Sequence, residues 1–265
     1  MTLGYSVESL LLQARGGGAL QMGLRRLTPE QWLQPGPDTA LRKSVFAKHP
    51  DSVVVLPEAQ AASREIALLL GVQGGIGEAA QSVWEDLCLL TRERSSDPYR
   101  LTAAAVAFPT DWELADKIGL RLLDIHAPIH GYAAQLSPGV DHFMEHLKDD
   151  MIFGRSNWFV VASDMLRYLP EIDPAELFAG ITADNAGERL YIRCERQTLR
   201  RLPESGAILF TIGIYVTPLG RLNQIAVDYL AQAAASLSSG EFNRRAAPAY
   251  ASALAEFAAQ RHMNH

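Results

Sequence analysis

An α+β fold, one antiparallel sheet surrounded by helices, is predicted from three features of the sequence. Residues 189–199 (RLYIRCERQTL) alternate sides as a strand does, and residues 207–215 (AILFTIGIY) are almost wholly apolar. The six residues 200–205 link the two closely enough for an antiparallel pair. Helical spacing flanks this pair, at 58–70 before it and through the Ala-rich stretch 221–260 after it. Helices grouped around an antiparallel sheet define the α+β class.

Taken in order, residues 1–60 read as an irregular wrapping arm. Pro29, Pro35, Pro37, Pro50 and Pro57 interrupt every pattern there, and short helical turns are expected at 29–32 and 38–43. Residues 59–70 (AQAASREIALLL) predict a helix, which Gly71, Gly74, Gly75 and Gly77 terminate. A second helix is predicted over 78–93, with Trp84, Leu87 and Leu90 on one face. Residues 101–108 (LTAAAVAF) and 158–162 (WFVVA) read as strands. Residues 122–125 look β-like and run into His126, and 140–148 are helical. The C-terminal helical stretch is expected to break at Ser239-Gly240. The expectation is a single elaborated domain, 1–265: an N-terminal arm with helices (1–95), a sheet core (96–220) and C-terminal helices (221–265).

Composition narrows the function. With 30 acidic against 24 basic side chains the formal charge is −6, which argues against bulk nucleic-acid binding. The longest apolar run, 207–216, is about half of the ~20 residues a membrane helix needs, so no membrane association is expected. No basic region precedes the short apolar patch at Leu10–Leu12, so the N-terminus does not read as a signal peptide and a cytoplasmic location is expected. Two cysteines, Cys88 and Cys194, supply neither a disulfide framework nor a thiolate metal cage. The glycine runs 15–18 (RGGG) and 71–77 (GVQGGIG) lack the strand–glycine–helix context of a phosphate loop and read as helix caps and loops.

Three groups of residues carry possible chemistry. His142, Glu145 and His146 spell an HxxEH pattern, in which two histidines share a helix face and a glutamate can act as base in a zinc hydrolase. Such a site needs a third ligand that no downstream helix offers, and the same helix reads as amphipathic, with Val140, Phe143 and Leu147 inward and the histidines in water. His126 and His130 bracket Pro128, whose stiff backbone suits a held imidazole, although a loop hydrogen bond would serve the same pattern. The densest polar stretch is 193–201. On a strand Arg193, Glu195 and Gln197 share one face and Cys194, Arg196 and Thr198 the other. Charges on both faces call for partners or a ligand, and arginine suits carboxylates.

Several blocks occur in one order: 108–112 (FPTDW), 117–119 (KIG), 125–128 (IHAP) with Gly131-Tyr132, 155–158 (RSNW) and 195–212 (ERQTLRRLPESGAILFTI). Together, across about 32–219, they resemble the haem-dependent oxidative N-demethylase family, long known only as a domain of unknown function. The resemblance implies a PAS-like sheet with terminal helical extensions holding a b-type haem (heme b). It further implies a monooxygenase that uses dioxygen to remove a methyl group from a small secondary amine such as dimethylamine. Electrons would come from NADPH through reductase subunits that carry flavin and an iron–sulfur centre on other chains.

Carried onto this sequence, the resemblance makes His126 the iron ligand, with His130 as the alternative. Arg193, Glu195 and Arg196 become contacts for haem propionates or substrate ammonium, with Glu195 and Arg196 in the catalytic role. Arg155, Asn157, Trp158 and Tyr132 become walls of the cofactor pocket. Two positions depart from the family pattern: His130 lies between Pro128 and Gly131-Tyr132, and Gly213 stands where the family has arginine. The alternatives are a non-catalytic PAS-like sensor or binding protein and, more remotely, the zinc hydrolase. The five arginines 189, 193, 196, 200 and 201 form the local basic cluster expected to mark the site.

Overall fold

The computed structural model describes residues 3–14, 21–36, 39–129 and 131–263; the 15–18 glycine run and His130 lie outside them. Its centre is a seven-stranded antiparallel sheet in the order β1-β5-β6-β7-β3-β4-β2. The strands are β1 (Arg25–Leu27), β2 (Val53–Val55), β3 (Asp86–Thr91), β4 (Arg100–Ala105), β5 (Ile152–Val161), β6 (Tyr191–Arg201) and β7 (Ile208–Pro218). Among the described residues twelve α-helices flank it, so the fold is α+β. In chain order they are α1 (Val7–Leu11), α2 (Thr39–Lys48), α3 (Gln60–Leu69), α4 (Ile76–Ala80), α5 (Leu122–Ile125), α6 (Tyr132–Gln135), α7 (Ser137–His146), α8 (Pro174–Leu177), α9 (Ala186–Arg189), α10 (Gln224–Ala235), α11 (Ser239–Arg244) and α12 (Ala251–Met263). No helix among the described residues is long and apolar enough to cross a membrane.

The β6–β7 pair forms as its alternation and short link predict, in continuous register from Tyr191 opposite Pro218 to Arg201 opposite Ile208. The reversal is locked by Leu202 donating to the Ala207 carbonyl at 2.8 Å. The amides of Glu204 and Ser205 both donate to the Glu65 carboxylate of α3, at 2.8 and 2.9 Å. Gly206 turns the chain there with φ of 68°, a left-handed value that suits glycine.

Three expectations are corrected. The predicted helix over 78–93 is the short α4 followed by β3, in which Leu87 and Leu89 pack into one core and Cys88 and Leu90 into the other. A strand buried on both faces is a continuous apolar run, and over this length its spacing also fits a helix. Residues 122–125 are a helical turn, α5, closed by Ile125 donating to Arg121 and His126 to Leu122 at 2.9 and 3.1 Å. An Arg121–Asp124 ion pair at 2.7 Å spans the same turn. The C-terminal break falls at 236–238, where the Ser238 hydroxyl caps α11; Ser239-Gly240 opens that helix instead.

The wrapping arm also contributes more than coils. Its β1 and β2 form the two edges of the sheet, and β3 precedes residue 96, so strands come from well before the expected 96–220 core. Two apolar layers result. The larger, containing Cys194, Leu87, Leu89 and Trp158, lies beneath α1, α3, α4, α10 and α12. The smaller contains Cys88, Leu90, Ala104, Leu199 and Ile208, and α5 and α7 cover it with Leu122, Ile125, Val140, Phe143, Met144 and neighbouring Leu147.

Candidate functional site

Strand β6 carries polar side chains on both faces of a covered sheet, so each must find a partner. On one face Gln197 stands opposite Arg155 of β5 and Glu195 opposite Asn157. Arg155 Nε donates to Gln197 Oε1 at 2.7 Å, and Gln197 Nε2 donates to Glu195 Oε2 at 2.9 Å. Arg155 Nη1 reaches the Met22 carbonyl at 3.3 Å. On β5 the residues of this face, Phe153, Arg155, Asn157 and Phe159, are only half-buried, whereas Ile152, Gly154, Ser156, Trp158 and Val160 are buried. This face is therefore the more open one.

His126 and Tyr132 join the group from the turn after α5. The His126 ring stacks on Tyr132 with centroids 4.4 Å apart and planes at 16°. Its Nδ1 lies 2.8 Å from the Leu122 carbonyl oxygen. A carbonyl only accepts, so Nδ1 carries the proton and Nε2 the lone pair, which is the tautomer a metal-ligating histidine needs. Burial pushes the imidazole down to about 4, with Arg155 and Lys117 acting in the same direction against the Leu122 hydrogen bond, so the ring is neutral. Burial pushes the Tyr132 hydroxyl up to about 12. Burial also pulls the Arg155 guanidinium below its usual value, while Glu195 and Tyr132 draw it back up. The charge of Arg155 thus links His126, Tyr132 and Glu195 into one constellation.

Other expected site residues are elsewhere. Arg193 is 0% exposed, and its donors are spent on Thr110 Oγ1 and on the carbonyls of Phe108, Pro109, Met165 and Leu166, at 2.8 to 3.1 Å. It clasps two loops to β6, and its donors are taken by them. Arg196 points to the opposite face. It sits 3.6 Å from Glu85 Oε1, lies over the Tyr5 ring at 4.4 Å and donates to the carbonyls of Gln31 and Trp32. Trp158 is on that opposite face too, 1% exposed, with Arg245 over its ring at 5.0 Å. Asn157 turns its Oδ1 to its neighbour's amide and to Arg245 Nη2, at 3.0 and 3.2 Å.

The basic cluster disperses in the same way. Arg200 lies over Trp32 at 4.3 Å, Arg201 donates to the carbonyls of Leu147 and Gly206, and Arg189 to that of Ala179. Gly213 stands opposite Arg196, and a side chain there would meet Tyr215 and Glu85. Its departure from the family pattern therefore concerns the face away from His126 and Glu195. The His142 and His146 rings lie 4.2 Å apart with planes tilted at 35°, on the exposed side of α7. Among the described residues no three His, Cys, Asp or Glu side chains are gathered as a metal ion requires. Gln197 was expected only to share a face with Glu195; that it joins Arg155 to Glu195 follows from the β5–β6 register, which the sequence does not display.

The Glu85–Arg196 pair makes a separate prediction. Burial raises the Glu85 carboxyl to about 7, against the pull of the Gln34 amide and Arg196. The folded state then binds more protons than the unfolded chain above the ordinary carboxylate value. The stability from Glu85 is full below that value and is lost as pH rises through about 7. Thermal unfolding of wild type and Glu85→Gln at pH 5 and 8 is expected to show the wild type losing ground at the higher pH. A pH-independent difference would count against it.

One face of the sheet thus brings together a neutral, backbone-anchored imidazole, a stacked tyrosine, a cation and a carboxylate with one oxygen not hydrogen-bonded to a described residue. The chain belongs to the family of haem-dependent oxidative N-demethylase, alpha subunit-like proteins, whose model matches residues 77–252. For a haem, His126 Nε2 has the lone pair that an iron ligand would need, and Arg155 the charge that would suit a propionate.

Proposed function

We propose that this chain is the haem b-binding catalytic subunit of a monooxygenase that demethylates a small secondary amine. Electrons would reach it from reductase subunits carrying flavin and an iron–sulfur centre. The observation that supports this reading is the joint placement of His126, Tyr132, Arg155 and Glu195, with His126 Nε2 and Glu195 Oε1 both without a hydrogen bond to a described residue.

When bound, the haem supplies dioxygen activation. The protein's residues do the rest. His126 ligates through Nε2 while Leu122 holds its tautomer and Tyr132 its ring plane. Arg155 offers its charge to a propionate. Glu195 Oε1 accepts an N–H of the substrate ammonium, turns a methyl group to the reacting centre and takes the ammonium proton. In the overall reaction one methyl carbon leaves as formaldehyde. One oxygen atom ends there and the other in water, with NADPH supplying the two electrons.

The haem-loaded chain, given electrons, is expected to release equal amounts of methylamine and formaldehyde from dimethylamine. Glu195→Gln removes a charge-assisted hydrogen bond of about 1.5–3 kcal/mol and is expected to raise the amine KM about 10- to 100-fold, leaving the Soret band unchanged. A Soret band with no formaldehyde from any secondary methylamine would make the chain a haem-binding protein and sink the enzymatic reading.

A further inference from the structure

Gln197 lies on β6, 8% exposed, directly opposite Arg155 and on the same face as Glu195. Its two hydrogen bonds determine each other. A guanidinium only donates, so the oxygen of the Gln197 amide must face Arg155 Nε, and its nitrogen must face Glu195. The nitrogen only donates, so Glu195 Oε2 must accept. This leaves Oε1 as the carboxylate oxygen without a hydrogen bond to a described residue.

The amide is also a spacer. Among the described residues Glu195 makes no ion pair within 4.0 Å, although Arg155 on one side and Arg193 on the other both act on its charge. Arginine and carboxylate prefer to meet in a two-pronged pair. Here Arg193 is fully engaged by Thr110 Oγ1 and backbone carbonyls, and Gln197 takes the Nε of Arg155.

We propose that Gln197 is a positioning residue for substrate recognition, keeping Arg155 from neutralising Glu195 and fixing Oε1 as the acceptor for a cationic amine. This rests on the assignment of Glu195 as the ammonium partner. Without the Gln197 amide, Arg155 Nε loses its acceptor and Glu195 Oε2 its donor, and the two side chains close into an ion pair that the amine must displace.

The test is calorimetric titration of the haem-loaded chain with dimethylammonium chloride, together with steady-state kinetics. Gln197→Met is expected to raise both Kd and KM about tenfold while kcat changes less than twofold and the Soret band stays in place. Gln197→Asn retains an amide that is too short to span both partners. It is expected to fall between wild type and Gln197→Met, and it serves if the Met variant is poorly folded. In a Glu195→Gln background, Gln197→Met is expected to have no further effect on Kd. If wild type itself shows no heat with the amine, the ammonium assignment falls. If wild type binds and Gln197→Met binds equally well, the positioning role is overturned while the assignment of Glu195 stands. An equal loss in the Glu195→Gln background also overturns it, because Gln197 would then not act through Glu195.

Discussion

Replacing His126 with alanine is expected to abolish the Soret band of the haem-reconstituted chain while leaving its far-ultraviolet circular dichroism and melting temperature almost unchanged. The side chain is largely buried beyond the end of the four-residue helix α5, and its polar anchor among the described residues is the Leu122 carbonyl. Its removal orphans no buried charge and costs the ring contact with Tyr132, so the stability loss is expected to be modest, about 1 kcal/mol. The effect on the cofactor is of another order. Loss of an outer partner that merely orients a ligand costs about 10- to 100-fold in metal affinity, so loss of the ligand itself is expected to exceed that. Tyr132→Phe, which keeps the ring stacked on His126, is expected to retain the band. If His126→Ala binds haem with an unshifted spectrum, the iron ligand is another side chain, and His130 is the next to replace.

How far the sequence speaks can be judged on β6. Alternation alone assigned Arg193, Glu195 and Gln197 to one face and Cys194, Arg196 and Thr198 to the other, and the structure agrees. What alternation lacks is knowledge of what lies above each face. Arg193 meets the carbonyls of residues 108–109 and 165–166, contacts that span up to 85 positions. No local pattern marks that arginine as spent and Arg155, 38 positions away from it, as the cation beside Gln197 at the candidate site. The same limit explains β3. Its apolar run is legible, but the fact that both faces are covered belongs to tertiary structure, and that fact separates a strand from a helix here. Three-residue edge strands such as β1 and β2 carry too few residues to show a period at all. The β6–β7 hairpin was legible because a short link, an alternating strand and an apolar strand all point to one local structure.

The largest expected loss of stability comes from Arg42→Met. Arg42 on α2 is 0% exposed and forms a strut between the N-terminal arm and the sheet. Its Nε donates to the Ala80 carbonyl at 2.6 Å and its Nη1 to that of Trp84 at 2.8 Å. Its Nη2 meets the Glu85 carbonyl and Asp86 Oδ1, both at 3.0 Å. Asp86 in turn accepts the amides of Ala107 and Phe108 at 2.7 and 3.0 Å, just past the end of β4. Methionine fills much of the same volume, so the cost is chiefly electrostatic. It leaves a buried carboxylate without its cation and three carbonyls without donors, a loss of about 3–5 kcal/mol. For a chain of this size that corresponds to a melting temperature lower by about 10 °C. Removing both charges should hurt less than the single losses added together, because Arg42→Met with Asp86→Asn leaves no unpaired charge buried. Additive losses in that double variant, or a single variant within ~1 kcal/mol of wild type, would show that the strut is not a coupled unit. Phe108, held here through Asp86, is also a residue whose carbonyl Arg193 grips from β6. The strand that carries Glu195 is thus tied through Arg193, Phe108 and Asp86 to Arg42, and Arg42→Met is expected to lower amine affinity as the melting temperature is approached while leaving it near wild type well below.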